Sequence, residues 1–274
     1  MAKTITSMLI GIAVAEGKIR SIDQPAADYV PGLAGTEFGR TSIRDLLHMA
    51  SGIAFTETYD GTDDIAKLGH ALYSGLGQGP VQAVAMFNTR EVPAGTRFHY
   101  ASVETEVLGL VLANAVGESP SAYLQSRIWQ PMGAEADATW VVDASGQEIT
   151  YGGFSAVLRD WARLGLLLAH DGAWNGRQLI PRQWLLDATT VQAPVLAPHT
   201  ATRFDGYGYQ VWLLAGPRRQ FALRGVHGQA ILVDPAARLV LVHTAVRIKA
   251  SQDPTAAELG ALWRALVGRF GDAP

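Results

Sequence analysis

The sequence predicts an α+β protein, and two observations carry that prediction. From its start to about residue 200 the chain reads as helices joined by Gly/Pro loops, whereas beyond about residue 205 it breaks into short runs of β-branched and aromatic residues. A last helical pattern, about Pro254 to Phe270, closes the chain with Leu259, Leu262, Trp263, Leu266 and Val267 on one face. Strands followed by a helix that can cover them fit an antiparallel sheet packed by helices.

Each element has a local reason. Ile5, Met8, Leu9 and Ile12 fall at helical spacing and Gly17 is placed to stop the first helix. The same stretch, with Met1-Ala2-Lys3 ahead of it and Ala13-Val14-Ala15 at its end, also imitates a secretory signal, so the local pattern leaves both readings open. A second helix starts at Ser42, capped by Thr41 or Ser42, and is expected to run to Gly52. Val103–Val116 stops at Gly117, Ser121–Trp129 precedes Pro131, Ser155–His170 ends at Asp171-Gly172, and Pro181 opens a helix to Thr189. The expected strands are Tyr207–Leu214, Phe221–Arg224, Gln229–Val233 and Leu239–Val246, the last two joined by a tight Asp234–Arg238 turn. A sheet of these strands alone is narrow.

Composition narrows the function classes. The 274 residues carry a formal net charge of −3 and no long Lys/Arg run, which argues against nucleic-acid binding. Cysteine is absent, so disulfides, thiol nucleophiles and thiolate metal sites are excluded together. The seven histidines form neither HxH nor HExxH, leaving a zinc hydrolase without ligands. No apolar run is long enough to span a bilayer. Gly153-Phe154-Ser155-Ala156-Val157 comes close to the Gly-x-Ser-x-Gly nucleophile elbow but lacks its last glycine and its βαβ surroundings.

The chemistry-bearing motifs lie elsewhere. Met1-Ala2-Lys3-Thr4-Ile5-Thr6-Ser7 resembles the opening of the Ser-x-x-Lys helix of the β-lactamase-related serine hydrolases, the family of class C β-lactamases and penicillin-binding proteins. Residues three apart share a helix face, so such a lysine sits beside the serine hydroxyl and can take its proton. Lys3 occupies the lysine position, and the serine position falls immediately before Met1; no serine of this sequence has a lysine three residues on. Taken alone, Lys3 also reads as a solvated charge. The resemblance continues in order through Thr41–Ile53 (TSIRDLLHMASGI), Pro93–Ser102 (PAGTRFHYAS, the Tyr-x-Asn/Ser motif), Tyr151–Ala156 (YGGFSA), Arg159–Gly165 (RDWARLG), Trp174–Pro181 (WNGRQLIP) and Tyr207-Gly208-Tyr209. With the motif at Lys3, it favours a helix over a signal at the start of the chain.

By that resemblance Tyr100 is the second proton handler, its phenolate favoured by a nearby ammonium, and Ser102 steadies the Lys–Tyr network. A half-buried loop tyrosine and a surface loop serine are the plain alternatives. Lys-Thr-Gly is absent; Leu223–Gln229 (LRGVHGQ) instead resembles the Gly-x-His-Gly-Gln of the esterase and 6-aminohexanoate-dimer hydrolase branch. That match makes the Val226 N–H, after Gly225, one arm of an oxyanion hole. It leaves His227 either lining the site or simply satisfied beside a strand. Without the lysine that anchors a carboxylate, a dedicated β-lactamase is disfavoured. Tyr59 aligns loosely with a substrate-contacting tyrosine, with an exposed loop aromatic as its plain alternative, and Tyr151, the other substrate-binding candidate, stands where the amide hydrolases of the branch carry asparagine, which favours a general esterase.

The resemblance implies a β-lactamase/transpeptidase-like fold, with residues 1–20 and 201–274 as the sheet domain, residues 21–200 as the helical domain, and N-terminal strands missing. It implies a small ester or amide substrate, an acyl-serine intermediate and no metal or organic cofactor. The chain as given is expected to be truncated before its nucleophile and inactive in acyl transfer. A non-catalytic protein that retains the pocket is the competing reading. Compartment and oligomeric state are left open by the sequence.

Overall fold

The computed structural model describes residues 1–74, 79–251 and 253–271. The chain forms two compact units. One comprises residues 2–125 and 139–154; the other comprises Met1, residues 126–138 and residues 155–274. This division differs from the expected one. The first helix groups with the helical unit, and residues 126–138 and 155–200 group with the sheet.

The helical unit contains α1 (Ala2–Ala15), α2 (Glu37–Arg40), α3 (Ile43–Leu47), α4 (Asp64–Tyr73), α5 (Pro80–Ala85), α6 (Ser102–Val116) and α7 (Pro120–Leu124). The two-residue strand β1 (Thr139–Trp140) also belongs to it. Helix α1 is buried all round from Thr4 to Ala13, not along one stripe, and packs on α6 and α7. Helix α6 is buried continuously from Ser102 to Leu112 and ends where Gly117, at φ 74°, turns its N–H onto Ala113 O. Helix α3 starts as expected, with Ser42 Oγ accepting from Asp45 N, but stops at Leu47 and does not continue to Gly52. Met49 adopts φ 54° and the Ala50 N–H returns to Asp45 O, so the backbone has already left the helix.

The second unit holds α8 (Leu158–Ala169), the β3–β4 hairpin (Ala173–Trp174, Arg177–Gln178), α9 (Arg182–Ala188) and the final helix α10 (Ala256–Phe270). The short strand β2 (Phe154–Ser155) lies at the boundary between the units. A five-stranded antiparallel sheet runs in the order β5 (Gly206–Tyr207), β6 (Trp212–Leu213), β7 (Phe221–Gly225), β8 (Gln229–Asp234), β9 (Leu239–His243). The single strand expected over Tyr207–Leu214 is therefore two. Gly208 lies so close to α9 that a Cβ there would meet Ala188 O at 1.8 Å, and Gln210 takes φ 59°, so the chain reverses in between. Period-two alternation sorts the sheet's side chains. Ala222, Ala230 and Leu232 pack with Trp263 of α10, while Ile231 and Val240 meet α8 at Gly165. The helices on this sheet are thus α8 and α10; α8 takes the place expected for the first helix.

Candidate active site

Lys3 stands in the first turn of α1, and the structure brings its side chain to Tyr100. Lys3 Nζ lies 5.2 Å from the centroid of the Tyr100 ring, and its charge favours the ionised phenol. It also donates to the Tyr151 carbonyl at 2.9 Å, with the Tyr151 ring centroid 5.6 Å away. The amino group is therefore held between a carbonyl and two aromatic faces.

The turn that offers this carbonyl is built by its neighbours. The Trp140 indole donates to Ile149 O and Gly152 O at 2.9 and 2.8 Å. Thr6 Oγ1 donates to Thr150 O, and Glu106 accepts from the N–H groups of Thr150 and Tyr151. Tyr151 thus contributes both its backbone and its ring to the Lys3 environment. Burial, reinforced by Glu106, pushes its phenol well above the usual tyrosine range.

Tyr100 departs from expectation in direction. Lys3 does favour its phenolate, but burial outweighs that effect and Glu57 adds to burial, so its pKa is raised. Ser102 departs too. It is buried, yet its hydroxyl donates to Glu57 Oε1 and its N–H to Glu57 Oε2, each at 2.7 Å, so its donor is committed away from the Lys3–Tyr100 pair. Tyr59 is 38% exposed at φ 61°, and its hydroxyl donates to the same Glu57 Oε1 at 2.5 Å.

Gly225, Val226 and His227 belong to the sheet unit, in the one-turn link from β7 to β8. The Val226 side chain is exposed. His227, at φ 60°, is tied to the following loop. Its Nδ1 is 2.8 Å from Arg247 O, its N–H donates to Ala250 O, and its carbonyl accepts from Arg247 N. These bonds favour the reading of a satisfied histidine beside a strand.

Three functional candidates escaped the sequence reading: Glu57, Glu104 and Glu106. Glu104 and Glu106 are each 1% exposed. Burial drives Glu104 well above the carboxylate range, against bonds from Ser51, and raises Glu106 to about 8. A signal for both was present, since two glutamates inside a helix apolar on every other face must be buried. Glu57, in a polar loop, had none. Among the described residues no group of three or more His, Asp or Glu side chains is placed to hold a metal ion. No described helix is long and apolar enough to cross a membrane.

The fold and the Lys–Tyr pair define a class, and the comparisons with known proteins give it its family. The chain belongs to the β-lactamase family, whose model, described as Beta-lactamase, matches residues 1–260. This is a family of serine hydrolases that includes esterases, amidases and β-lactamases. The chain is 27% identical over 252 residues to the 6-aminohexanoate-dimer hydrolase of Paenarthrobacter ureafaciens, covering 88% of this chain and 64% of that protein's length. It superposes with a TM-score of 0.86 on a Bacillus anthracis protein described as a "putative 6-aminohexanoate-dimer hydrolase", at 25% identity, over 100% of this chain and 72% of that one. A family VIII carboxylesterase shares the fold at a TM-score of 0.72 and 19% identity, over 97% of this chain and 82% of the other.

Proposed function

We propose that the protein hydrolyses carboxylic esters or small amides through an acyl-serine intermediate. The observation that carries this reading is the Lys3 amino group, bonded to the Tyr151 carbonyl and set against the Tyr100 ring. A hydroxyl one helical turn ahead of Lys3 shares its face of α1. Its proton passes to the Lys3–Tyr100 pair as the oxygen attacks the substrate carbonyl. The pair accepts it in the form that has first released one proton to solvent; the raised proton affinity of Tyr100 then makes its phenolate a strong acceptor, which returns the proton to the leaving alcohol or amine. A water then cleaves the acyl-serine by the same route in reverse.

Esters come ahead of nylon-type amides, because Tyr151 stands where the amide hydrolases of the resembling branch carry asparagine. The test compares the chain as given with one that begins upstream and bears the serine, using an activated aryl ester. The longer chain should show a burst and turnover that Lys3→Ala or Tyr100→Phe lowers by roughly 10²–10⁴-fold. The chain as given should show neither. A burst from the shorter chain that disappears in Lys3→Ala would overturn the proposal.

A further inference from the structure

We propose that Glu57 is a positioning residue of this site: its carboxylate fastens the Tyr59 loop to the first residue of α6 and sets a negative charge where it acts on the Tyr100 phenol. The inference rests on the proton-handling role proposed for Tyr100.

One carboxylate collects three donors from two segments: Ser102 N, Ser102 Oγ and Tyr59 Oη, at 2.7, 2.7 and 2.5 Å. Hydrogen bonds to a charged acceptor are the strong ones. Ala101, which precedes α6, has no side chain able to cap it, so the helix draws its cap from Glu57, 45 residues earlier. On the loop side, Tyr59 sits at φ 61°, an uncommon conformation for a residue other than glycine. It is held there from both ends, its N–H on Asp63 Oδ2 at 2.6 Å and its hydroxyl on Glu57. The cap and the loop conformation both converge on the residues flanking Tyr100.

Among the charged and titratable groups acting on Tyr100 are Lys3 from α1 and, from the loop, Glu57 and Tyr59. Lys3 draws the phenol toward ionisation and Glu57 opposes it. Removing the Glu57 charge while keeping its shape leaves burial to oppose Lys3 without that charge, and Tyr100 should give up its proton more readily.

The experiment is a pH titration of the chain labelled with [¹³Cζ]tyrosine, with Tyr100→Phe assigning the resonance. In Glu57→Gln the Tyr100 signal should ionise at a proton concentration about tenfold or more higher than in the wild-type chain. Glu57→Asp, which keeps the charge, should bring the titration most of the way back, a rescue that a merely structural role does not predict. If Glu57→Gln does not fold, Glu57→Asp alone should show a smaller shift in the same direction. Identical Tyr100 titrations, including both remaining un-ionised to the alkaline limit of the fold, overturn the proposal. The measurement needs no catalysis, so its failure is distinct from a failure of the ester-hydrolysis test.

Discussion

Helix α6 crosses the Thr150 side chain at Gly109, and Gly109→Ala separates two physical effects of opposite sign. Helix propensity alone favours alanine over glycine by about 1 kcal/mol. In this fold, however, the new Cβ would lie 2.1, 2.5 and 2.7 Å from Thr150 Oγ1, Cγ2 and Cβ. A rotamer change cannot relieve the last contact, since Cβ does not move with χ1; the Thr150 backbone must shift. Overpacking of this kind costs roughly 1–3 kcal/mol. The shift also strains the Thr150 hydroxyl bonds to Thr105 O and Glu106 Oε2, at 2.9 and 3.3 Å, each worth about 0.5–1.5 kcal/mol. Set against the propensity gain, the net expectation is a loss of about 1–3 kcal/mol. At roughly 2–4 °C per kcal/mol for a chain of this size, that is a fall of several degrees in Tm. Gly260→Ala in α10 is the control: its nearest neighbour is the flexible end of Arg264 at 3.4 Å, so propensity should prevail and stability should rise by about 0.5–1 kcal/mol. Thermal and urea unfolding followed by circular dichroism measure both. A Gly109→Ala protein as stable as the wild type, or more so, would refute the packing described around Thr150.

Other perturbations test separate parts of the molecule. Asp160 is fully buried and accepts from Glu135 N, Ala136 N and Arg163 Nη1 at 2.9, 3.2 and 2.6 Å. Asp160→Ala should cost about 3 kcal/mol in urea unfolding, the low end for a broken buried pair because Arg163 keeps Glu135, and Asp160→Asn should cost less. A loss below 0.5 kcal/mol, roughly the scatter of surface substitutions, would contradict the assignment. The carboxyl of Glu106, raised to about 8, is favoured in its protonated form by folding. Its stabilising contribution is therefore complete below the unfolded pKa near ~4.3 and is lost as pH rises through about 8. Glu106→Gln does not titrate, so wild-type stability should fall relative to the variant between about pH 5 and 8; parallel urea midpoints across that window would count against the burial effect. His48 goes the other way. Burial, aided by Arg44, lowers it to about 4, so acid should destabilise the wild-type chain from about pH 6.5 downward, and His48→Gln should flatten that limb of the unfolding curve.

What could be read from the sequence follows from how local each cause is. The stop of α6 at Gly117, the β8–β9 turn over residues 235–238 and the span of α10 depend on nearby residues and were legible. The length of α3 was not, because Met49 leaves the helix without glycine or proline to mark the exit. The split of the expected strand into β5 and β6 depends on α9 packing close over Gly208, a contact between segments about 20 residues apart. At the site, the meeting of Lys3 with Tyr100 was anticipated through motif order. The partner of Ser102 was not, since it is Glu57, a loop residue with no periodicity to place it; nor was the direction of the Tyr100 shift, which burial sets and Glu57 reinforces.

The 149–152 turn explains why a flexible lysine is useful here at all. Immobilising a lysine side chain costs up to about 2 kcal/mol of rotamer entropy, and a single solvated hydrogen bond recovers only about half of that. Lys3 is offered a carbonyl whose position is already determined. The carbonyls of Ile149, Thr150 and Gly152 are engaged by Trp140 and Thr6, and the Thr150 and Tyr151 N–H groups by Glu106. The fold thus meets the ordering cost in the turn, and the two aromatic faces supply the remainder. The buried Glu106, unfavourable when considered by itself, acquires a rationale: it orients the backbone that in turn orients the amino group.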